Sequence, residues 1–227
     1  RLNVVYKKTA ITNGLYVWSG AASATWNELE DNFSVNKGAA ISYQKGNAVE
    51  FSDAEATNKE IVINDVIEMD SSRLTISAAG YSLTGTGSIT GTDTLYVNAP
   101  ATLAVSNQLA GGAIINTSAL TLAHASPATK LKLNVDKTYL NLEPNGAFST
   151  PIEGMGGELF IKASVGANYS PIITNSSVVN LELPVSGSKS NYWVGSFPKH
   201  TAQLNVISSE EGMKAPTGFA VNESVLD

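Results

Sequence analysis

Few residues in this chain have the types and spacing that chemistry needs. The two histidines, His124 and His200, lie far apart. A Ser–His–Asp triad could be drawn on paper from the many serines, but no G-x-S-x-G elbow presents a nucleophile. Both histidines read as solvated or capping side chains. The seven aspartates are scattered, and Asp65 and Asp70 are the nearest pair, with Glu68 and Arg73 close by. Glycoside hydrolysis needs two facing carboxylates, and a lyase needs a calcium-binding Asp cluster with a basic residue. This group reads instead as a charged turn. The chain has no cysteine, which excludes disulfides, thiolate zinc sites and thiol catalysis. Gly85-Thr86-Gly87 sits in a Thr/Ser-rich strand region and marks corners, not a phosphate cradle. The expectation is a non-enzymatic chain with no catalytic residue, no metal and no cofactor.

What remains is aromatic. Tyr192, Trp193 and Phe197 cluster after a polar turn of Lys189, Ser190 and Asn191. This cluster is the candidate contact for a partner or for a host or matrix glycan. Its structural reading is packing at a C-terminal cap. A second group, Trp18, Trp26, Phe33, Tyr43 and Phe51, fills the leader. Its structural reading is a plug over one end of a core, and its functional reading is sugar stacking. Five N-x-S/T sequons, at Asn32, Asn116, Asn168, Asn175 and Asn222, are what chance gives in so Asn- and Ser-rich a chain.

The elements that must position these residues are strands. Only 15% of the 227 residues are charged, against about 25% in an average domain, and the net charge is −6. Two arginines and an acidic balance argue against nucleic-acid binding, which needs phosphate-neutralising cations. No run of about 18 apolar residues occurs, so no membrane-spanning helix is expected. With 43% hydrophobic residues the chain can bury a large core. Ser, Thr, Asn and Gly stand in for the missing charge, and this mixture suits short strands joined by tight turns. One short helical turn is expected at Trp26 to Phe33, capped by Thr25.

Strand-like segments of about four to six residues follow one another. They include Ala48 to Phe51, Glu60 to Ile63, Leu74 to Ser77, Tyr81 to Thr84, Ser88 to Thr90 and Thr94 to Val97. Thr102 to Ser106, Ala113 to Asn116, Ala119 to Ala123, Lys130 to Val135 and Tyr139 to Leu142 continue the series. Strand starts recur at roughly seven to eight residues, so three strands make a rung of roughly twenty-odd. In a parallel β-solenoid equivalent side chains stack about 4.8 Å apart, which penalises repeated like charges. Corners then need left-handed residues, expected at Gly80, Gly85, Gly87, Gly91, Asn98, Gly111 and Gly112. An antiparallel β-sandwich has a similar composition and stays open at this point.

Residues 74–125, LTISAAGYSLTGTGSITGTDTLYVNAPATLAVSNQLAGGAIINTSALTLAHA, resemble the autotransporter-associated β-strand repeat, also called the passenger-associated transport repeat. Trp18-Ser19-Gly20, Trp26-Asn27, Asn32-Phe33 and Gly46-Asn47-Ala48-Val49-Glu50-Phe51 are similar to the leader of that repeat. Asn47 stands where Asp is usual, Phe33 where Trp is usual, and Asp93 and Pro100 where Gly is usual. The aromatic residue before Gly111-Gly112 is replaced by Leu109-Ala110. The resemblance covers roughly half of the chain and implies a right-handed parallel β-helix in an exported protein. It carries no catalytic residues.

The resulting expectation is all-β. Residues 1–46 form an N-terminal cap, 47–142 a parallel β-helix, 143–207 a less regular β region that finishes or flanks the solenoid, and 208–227 a tail or linker. The region after Asn145 could also be an antiparallel lobe. The chain starts at Arg1 without a charged and apolar leader, so it reads as a mature or excised piece. The expected role is a stalk, coat or self-assembling component of a secreted or outer-surface protein. Self-association would use the solenoid ends or faces. An adhesin or carbohydrate-binding module is the alternative, and a glycan-active enzyme the third reading.

Overall fold

A computed structural model shows an all-β chain whose parallel sheets stack as a β-solenoid. The structure describes residues 13–104, 112–122, 130–142 and 151–163, and shorter strand segments at 147–148, 168–169, 173–174, 178–183, 193–195, 203–208 and 219–221. The sandwich alternative falls because the strands between Ala48 and Val221 pair in parallel. Each strand pairs with the one a rung later. Asn98 and Asn116 are 18 residues apart on neighbouring rungs, and Asn64 and Thr86 are 22 apart.

The first sheet shows why this sequence stacks. Val49, Leu74, Leu95, Ala113, Leu131 and Ile152 pair in register across five successive rung steps, and all are buried. The second sheet carries the matching inner ladder of Tyr81, Ala101, Leu120, Leu140 and Ile161. Strand alternation sends the residues between them outward. Burial of apolar area at roughly 25 cal/mol per Å² is the driving term, and hydrogen bonds along the axis set the register.

Two expected strands, Ser88 to Thr90 and Thr94 to Val97, are one strand, Ser88–Val97, that turns a corner. Val66–Ile76 does the same one rung earlier. The corner is made by Asp70 and Ser71 (φ 50° and 63°) and, in the next rung, by Gly91 (φ 67°). A Cβ on Gly91 would lie 3.2 Å from the Asp70 nitrogen, so the corners stack tightly.

Gly80, Gly85 and Gly112 also take positive φ as expected. Gly87 and Asn98 do not, and each has another reason to be there. A Cβ on Gly87 would stand 2.2 Å from the Asp65 carbonyl oxygen. Asn98 starts an asparagine ladder. The Asn116 amide donates to Asn98 Oδ1 at 2.7 Å, and the Asn134 amide donates to Asn116 Oδ1 at 3.0 Å. Gly111 lies outside the described residues.

The expected helical turn at Trp26 to Phe33 is absent. Asn27 Oδ1 accepts from the backbone N–H groups of Leu29 and Glu30, and Asn32 Oδ1 accepts from those of Ala22 and Ser23. Side-chain acceptors satisfy the donors that a helix would have used. Thr25 does not cap a helix; it forms a parallel bridge to Val62.

Parallel pairing runs past Leu142. Lys137–Leu142, Glu158–Ala163, Val178–Leu183 and Gln203–Ser208 form one continuous parallel ladder, so these segments are not an antiparallel lobe. A third sheet of four short strands accompanies them. Phe219–Val221 is one of those strands; the rest of the expected tail beyond Ser208 lies outside the described residues.

The N-terminal end is closed. Leu15–Trp18 pairs in parallel with Ala48–Phe51 on one side and antiparallel with Phe33–Val35 on the other. Six buried rings, Tyr16, Trp18, Trp26, Phe33, Tyr43 and Phe51, fill the end of the core with mostly edge-to-face contacts at centroid distances of 5.2–6.1 Å. The leader aromatics are therefore core, and none of these rings offers a face to a ligand.

Candidate ligand-facing surface

The outer side of the second sheet carries two parallel rows of side chains. One row holds Ala119, Tyr139 and Phe160 in register. The other, two residues on along each strand, holds Ser82, Thr102, Thr121, Asn141 and Lys162. The inward residues between the rows, such as Leu120 and Leu140, show only backbone to the outside, so a trough runs along the axis. Two adjoining hollows of about 230 and 250 Å³ make it up, and both are lined by Ala119, Leu120 and Thr121.

The Tyr139 and Phe160 rings stack at 4.5 Å with an interplanar angle of 14°. Rung spacing and ring thickness coincide closely enough for two aromatic residues in register to stack. Lys137 Nζ sits over the Phe160 ring at 4.7 Å and over the Tyr139 ring at 5.6 Å, and it pairs with Glu158 at 3.4 Å. Hydrogen bonds to Tyr139 and Glu158 raise the Lys137 pKa, so the ammonium stays charged. Glu158 also accepts from the Asn180 amide at 2.9 Å. Tyr139 is 46% exposed, although it belongs to the largest apolar class of side chains.

The corner group does not converge into a site. Glu68 binds Lys45 at 2.7 Å, and that hydrogen bond is the main cause of its lowered pKa. Arg73 lies over the Tyr96 ring at 5.8 Å, and Asp70 makes the left-handed corner. Other exposed charges pair likewise, Lys130 with Glu153 across rungs and Lys59 with Asp53 within one. Among the described residues no three His, Cys, Asp or Glu side chains group as metal ligands. Among the described residues no helix is long and apolar enough to cross a membrane.

Of the predicted contact residues, Tyr192 and Phe197 lie outside the described residues, as do His124 and His200. Trp193 begins the strand Trp193–Gly195 in the third sheet. It is in register with Tyr169 on one side and Phe219 on the other, and Tyr169 is in register with Phe148. Four aromatic positions thus fall on one line that crosses the rungs. The Tyr139–Phe160 pair escaped sequence reading because the two residues sit in separate, unremarkable strands. A search for aromatic residues one rung apart would have found both lines.

No family model, no curated protein and no solved structure matches the chain.

Proposed function

We propose that this chain is a non-enzymatic structural element of an exported bacterial surface protein, a stalk or coat piece like an autotransporter passenger. The observation that carries the reading is polarity. The N-terminal end of the solenoid is sealed by an antiparallel strand and six packed rings. The ladder of the second sheet runs on to Gln203–Ser208, which among the described residues has a neighbour on one side only. One sealed end and a ladder that runs the length of the described strands support the reading of a rod-like spacer. The sealed tip also prevents edge-to-edge growth from that side. Export is supported by the repeat-like string at residues 74–125 and by the low charge.

Self-association then runs through the far end or the lateral faces. Light scattering and negative-stain microscopy over a hundredfold concentration range test this. Rods or end-joined species that grow with concentration are expected. A strict monomer throughout would remove the self-assembling form of the reading. The gene's flanks test export: a signal peptide upstream and a barrel or sorting signal downstream are expected, and a cytoplasmic operon context without either would count against it.

A further inference from the structure

We infer that the trough on the outer face of the second sheet binds a neutral oligosaccharide through one sugar ring that lies across the trough, with Tyr139 as its stacking platform. The trough spans the five strands from Tyr81–Thr84 to Glu158–Ala163, about 19 Å at the usual rung spacing. On the Phe160 side the Tyr139 ring is covered by its stacking partner. On the other side its neighbour in the row is Ala119, which is too small to cover a ring. That leaves a ring face open to the hollow lined by Ala119, Leu120 and Thr121. The row stays low beyond Ala119, through Pro100 and Gly80, which line the adjoining hollow.

The chemistry of the walls selects the occupant. A sugar ring has an apolar C–H face and a rim of hydroxyls. The open Tyr139 face suits the first. The opposite row of Ser82, Thr102 and Thr121 offers hydroxyl groups to the second. The Tyr139–Phe160 stack runs along the axis, so the open Tyr139 face looks along the trough and the sugar that stacks on it lies across the trough. Among the described residues, Lys162 is the one charged side chain lining either hollow and no carboxylate lines them. The nearby charge of Lys137 is engaged by Glu158. These walls suit a neutral chain better than a polyanion or a peptide that brings its own charges.

The test uses the full chain and calorimetric titration with cellohexaose, laminarihexaose and mannohexaose, and with a hexauronate for comparison. Saturable binding of at least one neutral hexaose is expected. Tyr139→Ala should weaken it about tenfold or more, because the platform is lost. Ala119→Phe should abolish it by continuing the ring stack into the hollow. Both residues face outward, so far-ultraviolet circular dichroism and Tm should stay close to those of the parent. Trp193→Ala should leave binding unchanged. The proposal is overturned if no neutral hexaose binds, if only the uronate binds, or if binding survives both trough variants. It is also overturned if Trp193→Ala alone removes binding, or if Ala119→Phe instead dissolves a dimer. None of these readouts depends on the stalk reading, which the assembly experiment tests separately.

Discussion

The sealed N-terminal end and the middle rungs bury apolar residues in different ways. In the middle, each inner side chain meets its equivalent one rung on, as Leu74 meets Leu95 and Leu95 meets Ala113. Such contacts are nearest-neighbour terms, and stability accumulates rung by rung. In the plug, Phe33 touches Tyr16, Trp18, Trp26 and Tyr43 at once. Those rings come from segments scattered over residues 16–43, so the contacts are shared and not serial. The plug also buries two polar atoms, Tyr16 Oη and Trp26 Nε1, without partners. The middle spreads its burial over many small contributions. The end concentrates it in a few large ones, whereas unpaired buried polar atoms occur in both regions, at Thr92 and Thr138 in the rungs as well.

That contrast breaks most visibly with Trp26→Ala. Removing a fully buried indole should cost about 3–5 kcal/mol, read from urea unfolding. Hydrogen exchange should then quicken across all plug segments together, whereas Leu131→Ala should loosen only the adjoining rungs. A loss below about 1 kcal/mol for Trp26→Ala would show that the rings are not a concerted plug.

Corner packing comes next. Gly85 has φ +116°, and a Cβ there would sit 2.1 Å from the Ile63 carbonyl oxygen, so Gly85→Ala should cost about 2–4 kcal/mol. Gly156 has φ +89° with nothing near its Cβ position, and Gly156→Ala should cost about 1–2 kcal/mol from backbone strain alone. Equal losses would mean that the rungs can slide apart to make room.

The plug, together with the Tyr81 ring that packs against its Phe51, is also the alkaline weak point, because burial is the main cause raising the Tyr81 pKa too. Burial is the main cause raising the pKa of Tyr43, and it raises that of Tyr16 as well. A folded phenol with a raised pKa keeps its proton after the unfolded chain has lost its own. The stabilisation is therefore full below about pH 10 and falls as pH rises above it, by about 1.4 kcal/mol per pH unit for Tyr43. Unfolding monitored by tyrosinate absorbance should begin at the plug and the adjoining Tyr81 rung, and Tyr43→Phe should raise the pH midpoint. An unchanged midpoint would place the alkaline transition elsewhere.

Smaller effects sharpen the same comparison. Asn116→Ala removes both bonds of the asparagine ladder at an exposed position and should cost about 1 kcal/mol. Tyr16→Phe removes a buried hydroxyl that has no partner, so it should be neutral or stabilise by up to about 1 kcal/mol, read as a rise in Tm. A clear loss would reveal a partner for that hydroxyl.

The middle rungs were legible in the sequence because alternation and corner residues recur together. TLYV announces inward Leu95 and Val97 and TLAV inward Leu103, and Gly80, Gly85 and Gly91 punctuate them. Leu15–Trp18 and Phe33–Val35 were not legible, because short aromatic strands joined by long turns give no period. The leader's Trp26 to Phe33 resembled a helix because Asn27 and Asn32 look like ordinary polar residues until their side chains collect backbone donors. The candidate surface was hidden for a related reason. Clustering along the chain drew attention to Tyr192, Trp193 and Phe197, whereas adjacency in a solenoid is set by rung length. Tyr139 and Phe160 became neighbours only once register was known.

Rung length has a mechanical meaning as well. A rung of about twenty residues advances the axis by only about 4.8 Å, whereas the same residues in one helix would reach about 30 Å. The chain therefore gives up reach for girth. A thick column with hydrogen bonds along its length and a packed interior resists bending far better than a single helix of equal length. A pull applied at the ends loads whole rungs of bonds together, so the column should lengthen in steps, one coil at a time, and not by gradual stretch.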